Sequence, residues 1–120
     1  MTILSGESVN RLNIMLLSFV DAKANQLCFY LRGFWQSIIP HSELDIFFWD
    51  TLEEWSLVNY DLDQPYTERE RVFWHTLNQL HFWTEEKLKS DPLLIEELDR
   101  CLAFLEGKGI CPLDCAGVRP

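Results

Sequence analysis

Apolar residues in this chain recur at the three- and four-residue intervals of a helix, in stretches that open on capping residues and close on proline or glycine. Strict alternation of apolar and polar residues is absent over any useful length, which disfavours strands. The first helix is expected to begin near Ser8 and run to about Gly33 or Ser37, with Val9, Leu12, Leu16, Val20, Leu27, Leu31 and Phe34 on one face. Residues 12 to 20 are apolar nearly all round, which predicts a central, buried helix. The polar run from Asp21 to Gln26 marks a place for a kink or break.

Pro40 stops this element, and Ser42 with Asp45 resembles a capping box for a second helix. Its core stripe is expected to be Leu44, Phe47, Phe48, Leu52, Trp55 and Val58. Tyr60 to Tyr66 reads as a loop, after which Thr67 and Glu70 form a second capping box. The helix that follows places Phe73, Leu77 and Leu80 on one stripe, with Trp74 and Trp83 near its flanks. Thr84 starts a short turn, and Asp91 before Pro92 is an N-cap with proline at the first helical position. Leu94, Leu98, Cys101, Leu102 and Leu105 form the last stripe, ended by Gly107 or Gly109 in the left-handed conformation. The pattern predicts an all-α fold, a compact single-domain bundle of four to six helices over residues 1–120, with an irregular C-terminal tail at 108–120.

Between Arg32 and Arg69 the chain runs for 36 residues without lysine or arginine while carrying Glu43, Asp45, Asp50, Glu53, Glu54, Asp61 and Asp63. Phe34, Trp35, Phe47, Phe48, Trp49, Trp55, Tyr60 and Tyr66 lie in the same window. One sign of charge combined with large apolar groups attracts an oppositely charged partner at long range and holds it at short range. The net charge of −9 argues against nucleic acid or anionic lipid as direct ligand and for a basic protein. Helical phasing puts Glu43, Ile46, Trp49, Asp50, Glu53, Glu54 and Leu57 on the outer side of the second helix. With Asp61 and Asp63 in the following loop, these are the expected partner-binding residues. Trp55 and Trp74 are assigned to the core, and Trp49 to a partner.

No catalytic residue, metal site or cofactor is expected. The sequence has no Gly-rich phosphate loop, G-x-S-x-G or H-E-x-x-H pattern. Glu53/Glu54, Glu85/Glu86 and Glu96/Glu97 are adjacent pairs that diverge on a helix. His75 and His81 are separated by about 240° on an ideal helix and do not converge. Cys28 and Cys101 sit in apolar helical patterns as small hydrophobes. Cys111 and Cys115 are spaced C-x3-C with no second ligand pair nearby, so zinc would need a distant histidine. A tail held by packing or left mobile is expected instead. The run from Leu12 to Val20 is short of the roughly 20 residues of a membrane span, and no basic region or cleavage site precedes it, which predicts a cytoplasmic chain.

The stretch from Thr67 to Gly109, TERERVFWHTLNQLHFWTEEKLKSDPLLIEELDRCLAFLEGKG, resembles the small, acidic, aromatic-rich helical immunity proteins of bacterial contact-dependent growth inhibition systems, in particular those paired with EndoU-type RNase toxins. The resemblance covers about a third of the chain directly and the rest in size and charge. It implies a cytoplasmic antidote that binds the C-terminal toxin domain of a cognate effector, one to one, and blocks its active site. No catalytic residue carries over from such a family. A small regulatory or assembly module acting through the apolar residues Ile46, Trp49 and Leu57 is the alternative.

Overall fold

The computed structural model describes the backbone of residues 2–58 and 65–120, and side chains from Leu16 onward within those ranges. Five helices follow one another: α1 (Thr2–Trp35), α2 (His41–Val58), α3 (Glu68–Phe82), α4 (Glu85–Ser90) and α5 (Pro92–Leu105). The fold is all-α and forms a single domain, and no strand occurs among the described residues.

Helix α1 starts at Thr2, so Ser8 lies inside it rather than capping it. At about 1.5 Å per residue its 34 residues span roughly 51 Å, most of the 57 Å length of the molecule. It does not break at Asp21–Gln26, where Asp21 and Lys23 have partners on other helices. Asp21 receives Arg69 of α3 at 2.8 Å, Lys23 pairs with Glu54 of α2, and Ala24 is fully buried. The expected burial of residues 12 to 20 holds for Leu16 and Val20 but not for Leu17, which is exposed. Val9 and Leu12 belong to the side chains outside the described set.

The turn after α1 is a Schellman motif: Ile38 N–H donates to Gly33 O at 2.9 Å and Ser37 N–H to Phe34 O at 3.0 Å. Ser37 itself takes φ 61°, the left-handed region glycine favours. Helix α2 then begins at His41, one residue past Pro40, so Ser42 lies within its first turn and the expected Ser42/Asp45 cap does not form. Asp45 faces His41 instead, at 3.9 Å.

The later caps follow the sequence. Thr67 Oγ1 accepts Glu70 N–H at 3.0 Å and Thr84 Oγ1 accepts Lys87 N–H at 3.2 Å. Asp91 Oδ1 accepts Leu93 and Leu94 N–H at 3.0 and 3.2 Å. The turn opened by Thr84 closes into the six-residue α4. At the end of α5 a second Schellman motif forms: Lys108 N–H donates to Ala103 O at 2.7 Å and Gly107, at φ 83°, donates to Phe104 O at 3.0 Å.

Helix α1 lies against α2, α3 and α5, and their apolar stripes meet in one core. Leu27, Leu31 and Phe34 of α1 contribute, with Leu44 and Trp55 of α2, Phe73, Trp74 and Leu77 of α3, and Leu98 and Leu102 of α5. Trp74, placed near a flank by phasing, is fully buried. It packs edge-on against Trp55, ring centroids 5.0 Å apart, and against Phe73 at 4.8 Å. Among the described residues no helix is long and apolar enough to cross a membrane.

Candidate functional site

Helix α2 divides cleanly. Leu44, Phe47, Phe48, Thr51 and Trp55 are buried, and Ile46, Trp49, Asp50, Glu53 and Leu57 are exposed along the opposite side. The exposed positions recur at three- and four-residue steps, so they form one continuous outer stripe. Ile46, Trp49 and Leu57 are 51%, 55% and 77% exposed, well above what packing on the bundle would leave.

Trp49 is exposed but not loose. Its ring stands edge-on to Phe48 at 5.1 Å and to His81 of α3 at 5.2 Å, while His81 stacks on Phe48 at 4.5 Å with 9° between planes. An indole held in place before a partner arrives loses little side-chain entropy on binding. His81, which the sequence offers only as a non-converging neighbour of His75, reaches Trp49 through the packing of α3 beside α2.

The acidic residues of this face are not equivalent. Asp50 and Glu53 form no ion pair among the described residues. Glu54 is committed to Lys23, whose side chain is 10% exposed, so it belongs to the α1–α2 seam. Glu43 is half-buried in the first turn of α2. Asp61 and Asp63 lie outside the described residues, as does most of the Tyr60–Tyr66 loop.

A second group of polar residues gathers where the tail crosses α3 and α5. Glu70, the helix-side member of the Thr67/Glu70 pair, does not turn back to its cap. Its carboxylate is buried, accepts Trp74 Nε1–H at 3.0 Å and is bound by the Arg119 guanidinium, with Nη2 at 2.7 Å from Oε1. Arg119 N–H also donates to Tyr66 Oη at 2.8 Å. Gly117 is wedged onto α3, where an added Cβ would sit 2.3 Å from Arg71 O and 2.4 Å from His75 N. The tail is therefore irregular but fastened.

The same crossing brings together His75, Cys101 and Cys115, with one ligand-type atom from each within 4.8 Å of the others. The two sulfurs are 3.9 Å apart. Burial pushes the Cys115 thiol up to about 12, helped by the neighbouring Cys101, and raises Cys101 too. Neither is a low-pKa nucleophile of the catalytic kind. Linear spacing concealed this group, since the three residues come from α3, α5 and the tail.

Compared with protein-family models, curated proteins and solved structures, the chain matches none of them.

Proposed function

We propose that this chain is an immunity-type binding protein that neutralises the basic, nuclease-like toxin domain of a cognate bacterial effector through the outer face of α2. The observation that carries the reading is Trp49, an exposed indole clamped by Phe48 and His81 and bordered by Asp50 and Glu53, which form no ion pair among the described residues. Nuclease surfaces are basic because they bind polyanions, and an acidic face occupies such a surface in the place of substrate. The charges speed the encounter, and the aromatic anchor slows dissociation. The resemblance of Thr67–Gly109 to growth-inhibition immunity proteins supports the same assignment and supplies the partner class.

The partner to test is the C-terminal domain of the effector encoded beside this chain's gene. Binding should be one to one, with association slowing as salt rises. Trp49→Ala is expected to weaken it by about 30-fold, the scale of an interface hot spot. Asp50→Lys with Glu53→Lys should act chiefly on the association rate. Glu54 is left out of that variant because reversing it would set a second cation against Lys23. Affinity and protection unchanged in both variants would remove α2 from the interface. Concentration-dependent dimers abolished by Trp49→Ala, with no effector binding, would replace this reading by a self-assembling module using Ile46, Trp49 and Leu57.

A further inference from the structure

We propose that His75, Cys101 and Cys115 form a zinc site that ties the C-terminal tail to α3 and α5. The site is independent of the α2 face.

The geometry matches the ion. Zinc holds thiolates at about 2.3 Å in a tetrahedron, which sets two sulfur ligands about 3.8 Å apart. The Sγ atoms of Cys101 and Cys115 are 3.9 Å apart, too far for a disulfide at about 2.05 Å and right for two ligands of one metal. His75 supplies the third donor within the same 4.8 Å set. Its Nε2 is shielded from solvent and makes no hydrogen bond of good geometry, facing only the Glu97 carboxylate at 3.4 Å, so the nitrogen is available to a metal.

The fourth position has a candidate in Glu97. Its Oε1 is 3.4 Å from His75 Nε2, near the edge of about 3.3 Å that nitrogen and oxygen ligands span around zinc. Its side chain is 53% exposed. Glu97 also lines a cleft of about 750 Å³ between α5 and the Gly109–Asp114 segment. Two cysteines and a histidine are a borderline-soft donor set that selects zinc over magnesium or calcium. Binding releases the two thiol protons, so zinc and two thiolates leave the buried cluster neutral before Glu97 joins.

The backbone presents Cys115 deliberately. Asp114 takes the left-handed φ of 66°, and Gly117 and Arg119 pin the chain on α3 just beyond. These contacts hold the segment that carries Cys115 against α3.

The test is cobalt and zinc binding by the full chain, kept reduced and freed of metal by chelation and buffer exchange. Cobalt should bind one per monomer, giving the intense visible bands of tetrahedral coordination and a thiolate charge-transfer band, and zinc should displace it. Cys115→Ser and His75→Asn should each lower zinc affinity by about 100-fold or more, beyond the loss caused by an outer-shell change. Cys115→Ser exchanges one atom and alters no helix residue, and helix content by circular dichroism checks that each variant is folded. Cys28→Ala, which alters an α1 thiol that donates to Leu102 O and is not one of the three clustered ligands, should bind as the parent does. Absence of a one-to-one complex, metal bound only between monomers, or parent-like affinity in Cys115→Ser overturns the site. So does a Cys101–Cys115 disulfide that persists under reduction.

Discussion

Ser37 occupies a position the backbone reserves for glycine. At φ 61° its Cβ crowds the following carbonyl, at a cost of about 1–2 kcal/mol, while replacing it by glycine adds about 0.5–1 kcal/mol of chain entropy to the unfolded state. Ser37→Gly is therefore expected to stabilise the protein by about 0.5 kcal/mol, read as a small rise in Tm. Glu70 carries the opposite lesson. Thr67 was legible as a cap, and its hydroxyl does cap, but the acid three residues on turns inward to Trp74 and Arg119. Local spacing identifies who can reach a helix terminus, and only the neighbours decide whether a carboxylate has a better partner.

At the scale of elements, α1 and α5 are clamped by Arg32, which donates to both oxygens of Glu106 at 2.9 and 2.8 Å and to Asp99 Oδ1 at 2.9 Å. The Arg32 hydrogen bonds hold the Glu106 carboxyl below its ordinary 4.5. A carboxyl depressed in the folded state adds stability that is complete above the unfolded value and is lost as pH falls through the folded one. Thermal unfolding of the parent and of Glu106→Gln should thus differ most above pH 4.5 and converge as the solution is acidified. A gap that stayed constant down the acid range would mean that the clamp does not feel this proton. The division of α2 into a core side and an outer stripe was readable because a period of 3.6 needs no tertiary information. The distinction between Glu54 and its neighbours was not, because Lys23 comes from another helix.

For the whole molecule, the tail acts as a strap. Arg119, with a side chain 11% exposed, meets Glu70 at 2% exposure, so the pair is buried after the last helix has ended. Removing one member strands the other charge, which typically costs about 3–5 kcal/mol, whereas replacing both by uncharged groups of similar size is far milder. Arg119→Ala should lower the urea midpoint by the equivalent of about 3 kcal/mol, and the double variant Glu70→Gln with Arg119→Met should be the more stable of the two. The reverse order would assign the strap's strength to Gly117 and Tyr66 instead.

The sequence alone determined the class of fold, the boundaries set by Thr67, Thr84, Asp91 and Gly107, the core stripe of α5 and the centre of those of α2 and α3, though Leu52 and Val58 stay partly exposed and Thr51, Val72, Trp74 and Thr76 are buried beside them. Each depends on residues within a few positions of one another, where helical periodicity and capping chemistry act. It misplaced the start of α1, the cap of α2 and the proposed break at Asp21–Gln26, since a long helix is held by what packs along it. Tertiary structure alone decided that Trp49 is clamped by His81, that Glu54 serves Lys23, and that the tail is fastened through Arg119. It also decided that His75, Cys101 and Cys115 share one place. Those are meetings of side chains distant in the chain, and no local rule of spacing encodes them.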